Sequence, residues 1–131
     1  MTILDQLSTK DCLSRMGMII DTSCNLCNSS QESRDHLFFS CPYSISVWEH
    51  ILHLCRLHRQ IRTWNQELLW ALENLKGKSL IVMILKIAWN AHIYHVWQER
   101  NHRQFRGVNR SIDDTVRCIV DSVRFRIHGR V

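Results

Sequence analysis

The chain has 131 residues, of which 45% are hydrophobic, and this is enough for one domain with a modest core. No apolar run approaches the roughly 20 residues that span a bilayer, and the N-terminus MTILDQLSTKD lacks the pattern of a signal peptide. We therefore expect an intracellular protein, nuclear or cytoplasmic, that is not secreted and has no membrane partner. Its six cysteines should then remain thiols that are available to a metal.

The net charge of +5 is unevenly distributed. Residues 1–99 carry equal numbers of basic and acidic side chains, whereas residues 100–131 contain eight arginines and three aspartates. A basic end of this kind is typical of proteins with an anionic partner, nucleic acid first and a membrane surface second. A solvated helix face accounts for the same pattern equally well.

The sequence predicts a mainly α-helical fold, because proline and glycine are rare and apolar residues recur at helical spacing. The predicted helices cover about 9–16, 34–39, 43–58, 63–75, 80–104 and a last segment from Ser111. The inner face of the fourth helix is predicted from its leucines: Leu68, Leu69, Leu72 and Leu75. The inner face of the last helix is predicted from Ile112, Val116, Ile119, Val120, Val123 and Ile127.

Three cysteines and one histidine lie within eighteen residues, in the pattern Cys24-x2-Cys27-x8-His36-x4-Cys41. Zn²⁺ prefers four such ligands in a closed tetrahedron, and Cys₃His is a common structural set. Two cysteines separated by two residues can hold one side of an ion from a tight turn, and one short turn brings His36 and Cys41 to the other side. The pattern predicts one structural zinc ion in a module that covers residues 1–58. Residues 59–131 then form a helical extension of about three to four helices with a basic C-terminal segment.

The remaining cysteines, Cys12, Cys55 and Cys118, lie on or beside apolar helix faces and are interpreted as core thiols. Phe38 and Phe39 stand between two predicted ligands. They are interpreted as a small core that rests on the metal loop, with stacking on an unpaired base as the alternative.

Two other groups of polar residues resemble catalytic or metal sites. The pair Asp113-Asp114 resembles the metal-binding aspartates of polymerases, but its position three residues after Ser111 is typical of a helix start. His92, His95 and Glu99 share a predicted helix face, and we interpret them as surface or partly buried residues. The chain is therefore predicted to have no catalytic site.

Three segments together resemble a known family: TKDCLSRMGMIIDTSCNLC, ESRDHLFFSCPYSISVW and IYHVWQERNHRQF. They are similar to the zinc-binding region near the C-terminus of plant non-LTR (LINE-type) retrotransposon reverse transcriptases, over roughly residues 7–106. Cys12 stands where a basic residue is usual, and Met16 where tryptophan is common. The resemblance implies a zinc-binding accessory domain that helps to hold nucleic acid downstream of a polymerase. Because the chain begins a few residues before the zinc region, we expect a stand-alone fragment.

Two functions follow from the sequence. The first is a zinc module that binds RNA or DNA without sequence preference, through Arg100, Arg103, Arg106 and Arg110. Arginine suits phosphate because its donors form a fork, and such binding weakens steeply with salt. The alternative is a helical module that binds a protein partner, or an orphaned retroelement fragment without a selected role.

Overall fold

The computed structural model describes residues 9–18, 21–105, 107 and 109–128. Six helices lie within these residues, and no named strand does. In chain order they are α1 (Lys10–Arg15), α2 (Arg34–Phe39), α3 (Pro42–Leu54), α4 (Trp64–Asn74), α5 (Leu80–Phe105) and α6 (Ile112–His128). The prediction of a mainly α-helical fold with a Cys₃His cluster near its N-terminus is confirmed.

The helix ends follow local chemistry. Pro42 occupies the first turn of α3, where its missing N–H costs no hydrogen bond. α3 ends at Leu54, four residues earlier than predicted, because Arg56 adopts a left-handed conformation with φ of 62°. The predicted capping box of Thr63 and Gln66 is present at the start of α4, where the Thr63 N–H donates to Gln66 Oε1 at 3.4 Å.

The most extensive contact between helices joins α5 and α6, and α6 also packs on α3. The predicted inner face of α6 is correct: Ile119 is fully buried, and the other five apolar residues of that face are half-buried. The leucine face predicted for α4 is wrong in part: Leu69 and Leu72 are exposed, whereas Leu68 and Leu75 are half-buried and pack against the core. α4 instead buries Trp64, Glu67 and Ala71, because its contacts are with the short α2 and the Glu67 carboxylate is paired with Arg59.

An aromatic cluster joins the N-terminal part of the chain to α5. The Phe39 ring lies 4.9 Å from that of Trp89 and 5.4 Å from those of Trp64 and His92, measured between centroids. Phe38 and Phe39 are buried, so their interpretation as core residues is confirmed. The core of the described residues runs from Cys24 to Ile119. It therefore includes residues on both sides of the predicted domain boundary at 58/59, and this boundary stays a prediction.

By length and composition alone, α5 is long and apolar enough to cross a membrane. Core helices of soluble proteins meet the same criterion. In this structure α5 packs against α2, α3 and α6, and it buries an ionisable group in Glu99 and another in Arg100.

Candidate metal centre

The first pair of ligands lies in a tight turn. An isolated antiparallel bridge between Ser23 and Gln31 closes the loop that contains Cys24 and Cys27. The Asn28 N–H donates to the Cys24 carbonyl at 2.8 Å, and Asn28 has a positive φ of 56°, a conformation that asparagine tolerates better than most residues. This turn directs both thiols to the same side of the loop.

The second pair flanks the end of α2. The Ser33 side chain caps α2 by accepting a hydrogen bond from the His36 N–H at 3.1 Å. The Cys41 N–H donates back to the His36 carbonyl at 2.7 Å, so the chain turns sharply between α2 and α3. This local hydrogen bond brings the imidazole and the third thiol to one place.

The four predicted ligand atoms converge within 4.8 Å of one another. Cys24 Sγ lies 3.9 Å from Cys41 Sγ, and Cys27 Sγ lies 3.4 Å from His36 Nε2. Tetrahedral Zn²⁺ with Zn–S bonds of about 2.3 Å and Zn–N bonds of about 2.0 Å sets its ligand atoms about 3.5–3.8 Å apart. The donor set and its spacing therefore fit one Zn²⁺. Four protein ligands leave no open position for water, which is typical of structural sites.

The two buried thiols are electrostatically coupled. The hydrogen bond shared with Cys41 lowers the pKa of Cys24 to about 5, while the same bond and burial raise the pKa of Cys41. The two sulfur atoms lie 3.9 Å apart, and as thiolates both can bind a cation. Loading this site with a metal releases protons, so metal affinity rises with pH over the range where the thiols ionise.

The metal loop is held by two charged residues, Lys10 and Glu32, that could not be assigned to the site from the sequence. Lys10 is buried, and its Nζ donates to the Ser23 carbonyl at 2.7 Å and to Asn25 Oδ1 at 2.8 Å. The Lys10 N–H also donates to Glu32 Oε1 at 2.9 Å. Glu32 is fully buried directly after the loop, so α1 and the loop are fixed to each other.

Arg100 joins this loop to α5 through a buried ion pair, and its contact with phosphate stays a prediction. Its guanidinium donates to both oxygens of Glu32, with Nε–Oε2 of 3.0 Å and Nη2–Oε1 of 2.9 Å. The Arg100 side chain is only 4% exposed. Arg100 lies four residues after Val96, which is buried. Residues i and i+4 share a helix face, so this spacing indicates that the Arg100 side chain points toward the core.

Arg103 is also engaged within the protein. Its Nε donates to Glu99 Oε2 at 2.7 Å, and its Nη1 donates to the Leu26 carbonyl in the metal loop at 3.2 Å. The Arg110 N–H donates to the same Glu99 oxygen at 2.7 Å, and the Arg110 guanidinium lies 3.4 Å from Cys118 Sγ. Arg106 lies outside the described residues. The three predicted phosphate-binding arginines that are described therefore support the metal loop and the connection between α5 and α6.

The other candidate ligands have separate partners, and the interpretation of His92 and Glu99 as surface or partly buried residues is wrong, because both are fully buried. His92 Nε2 lies 2.9 Å from the Phe38 carbonyl, and burial lowers the pKa of His92 to about 4. His95 Nε2 contacts Ser122 Oγ at 3.0 Å, while Glu99 is paired with Arg103. Asp114 lies in the first turn of α6, as expected for a helix start, and its N–H donates to Ser111 Oγ at 3.1 Å.

The three remaining cysteines take no part in the centre. Cys12, Cys55 and Cys118 are half-buried and lie outside the ligand cluster. Within the described part of the chain, Cys24, Cys27, His36 and Cys41 form the one group whose ligand atoms converge.

These features define a small helical protein built around a Cys₃His metal-binding loop. Residues 1–48 match the model of the family described as zinc-binding in reverse transcriptase, and this segment contains all four converging ligands. No curated protein and no solved structure matches the chain. The family match and the cluster together indicate a zinc-binding module that takes one Zn²⁺.

Proposed function

We propose that the chain is a non-catalytic zinc-binding accessory module of a reverse transcriptase from a LINE-type retrotransposon, of the kind found in plants. The observation that carries the proposal is the convergence of Cys24, Cys27, His36 and Cys41 within 4.8 Å. The ion would be held by these residues and would supply structure alone, because a closed ligand set leaves no position for substrate. The module works inside the cell, in the nucleus or the cytoplasm.

Zinc would stabilise a segment that has few other means of folding. The loop between Ser23 and Gln31 is joined by a single bridge, and its residues 28–30 are polar and exposed. Structural zinc contributes about 10–16 kcal/mol of apparent binding free energy in small peptides. The Lys10 and Arg100 contacts then transmit the order of this loop to α1 and α5.

The metal is tested by mass spectrometry of freshly purified, reduced protein. We expect one zinc per chain in the wild type and none in Cys27→Ser and His36→Ala. Cys55→Ser and His50→Ala are the matched controls, because they remove the same groups outside the cluster and should retain the metal. A wild type that is metal-free and fully ordered over residues 21–48 would refute the proposal.

The second part of the proposal is that the module binds RNA or DNA through its basic C-terminal segment. The support is the excess of arginine in residues 100–131 and the exposure of Arg117, Arg124 and Arg126 on α6. The partner would be bound through phosphates and without sequence preference. The affinity for an oligonucleotide should then fall steeply between about 50 and 200 mM salt. This affinity is measured by fluorescence anisotropy across a salt series.

A helical module that binds a protein is the second candidate, and the exposed Leu69 and Leu72 on α4 favour it. Deletion of residues 100–131 does not separate the candidates, because the buried Ile119 would be lost with α6. Variants that remove charge without removing a helix separate the two candidates. The double variant Arg117→Gln with Arg124→Gln should weaken oligonucleotide binding and keep the fold. Salt-independent binding that is unchanged in this variant would favour the protein-binding module.

A further inference from the structure

A groove of about 1040 Å³ lies between α5 and the C-terminal half of α6. Its floor is apolar and includes Met83, Ile87 and Ala91 from α5. The volume reaches the upper end of the range of small-ligand pockets, about 300–1,000 Å³. None of the residues that form the metal centre lines it.

Two aromatic side chains border the groove and are exposed to solvent. Tyr94 on α5 is 57% exposed, and Phe125 on α6 is 78% exposed. The Tyr94 ring packs edge-on against His95, with 5.1 Å between centroids, and its hydroxyl accepts a hydrogen bond from Gln98 Nε2 at 2.7 Å. The Tyr94 ring is therefore held in place before any ligand arrives.

The charges around the groove favour an anionic ligand. Lys78, Lys86 and Arg126 line it and are exposed, whereas Asp121 is the one carboxylate among the lining residues that the structure describes. Lys86 and Arg126 lie on different helices, so cations stand on both sides of the apolar floor. An anion with flat apolar parts matches this combination better than a purely apolar partner does.

We propose that this groove binds single-stranded nucleic acid, with bases stacked on Tyr94 and Phe125 and phosphates paired with Lys78, Lys86 and Arg126. Aromatic platforms beside a line of cations are the usual means by which proteins hold single strands. A duplex fits less well, because its bases are stacked on each other and their faces are not available to side chains. This inference rests on the proposed nucleic-acid function and places it on a surface away from Arg100 and Arg103.

The test uses the zinc-loaded full chain and a fluorescein-labelled 12-nucleotide strand, in DNA and RNA form, with the DNA duplex beside them. Tyr94→Ala and Phe125→Ala should each weaken binding of the single strand by about tenfold. Tyr94→Phe and Phe125→Trp should restore it, because they keep an aromatic face. Leu72→Ala, an equally exposed apolar residue on α4, should change nothing.

Charge is tested in the same assay. Lys86→Gln should reduce the slope of log affinity against log salt by about 0.7, the value for one phosphate contact of a single strand. Arg62→Gln removes one exposed charge outside the groove and should leave the slope unchanged. Thermal unfolding midpoints that agree among all variants establish that the fold is intact.

The outcomes separate the two proposals. Absence of any salt-sensitive binding by the wild type would refute the nucleic-acid function and the groove with it. Wild-type binding that is unchanged in Tyr94→Ala and Phe125→Ala would overturn the groove alone. Tighter binding of an acidic amphipathic peptide than of the strand, lost in these two variants, would identify a protein-docking groove and would also overturn the inference.

Discussion

Replacement of Arg100 by methionine is expected to destabilise the protein strongly, because it leaves a buried charge without its partner. Glu32 is fully buried and accepts three hydrogen bonds: two from the Arg100 guanidinium and one from the Lys10 N–H. Arg100→Met removes two of them together with the compensating charge. Removal of one partner of a buried ion pair costs about 3–5 kcal/mol. This is a large part of the total stability of about 5–15 kcal/mol that is common for domains.

The assay is urea unfolding followed by tryptophan fluorescence at pH 7.5 with zinc present. With a slope of about 2 kcal/mol per molar urea, the midpoint should fall by about 2 M. The double variant Glu32→Gln with Arg100→Met should recover most of the loss, because the carboxylate that Arg100 neutralises is then removed as well. Arg117→Met is the control, since the ion pair of Arg117 with Asp114 is exposed and its removal should have little effect.

Two results would refute this reasoning. One is a change in the free energy of unfolding below about 1 kcal/mol in Arg100→Met, which is the level of an exposed pair. The other is a double variant that is no more stable than the single one. Loss of oligonucleotide affinity in Arg100→Met at full stability would instead support the prediction that Arg100 contacts phosphate.

Two further predictions concern the aromatic core. His92 is buried in its neutral form, and burial lowers its pKa to about 4. In the unfolded chain the imidazole binds a proton below about pH 6.5, so the stability of the fold decreases as the pH falls from about 6.5 to about 4. The stability that is lost across this range amounts to about 3 kcal/mol. The urea midpoints at pH 7 and pH 5 should therefore differ less in His92→Phe than in the wild type. Equal differences in the two proteins would contradict the prediction. Phe39→Ala should lower the free energy of unfolding by about 3–5 kcal/mol because Phe39 packs against three tryptophans. Phe105→Ala, at a 74% exposed site, is the control, and a similar cost in both variants would count against a core centred on Phe39.

The metal ligands could be predicted because their geometry is mostly local. Cys24 and Cys27 are brought together by one tight turn, and His36 and Cys41 by the end of one short helix. The hydrogen bonds that direct these turns join residues at most ten positions apart. A spacing pattern in the sequence therefore carries nearly all the information that the site needs.

The direction of the basic side chains could not be predicted from charge alone. Arg100 belongs to the segment with the excess of arginine, and a count of charges assigns it to solvent. Its partner Glu32 lies 68 positions away, and no local rule connects the two. The same holds for α4, where the leucines suggest one buried face while contact with α2 selects another.

By itself, the sequence determined the helical class, the positions of the helices to within a few residues, and the four residues whose ligand atoms converge. These properties depend on periodicity, on capping and on short loops, which act between neighbours along the chain. The tertiary structure alone decided which arginines serve the core, which face of α4 is covered, and that Tyr94 and Phe125 border one groove with Lys86. Those outcomes depend on contacts between distant segments, where burial and pairing of charges outweigh the preference of each residue taken alone.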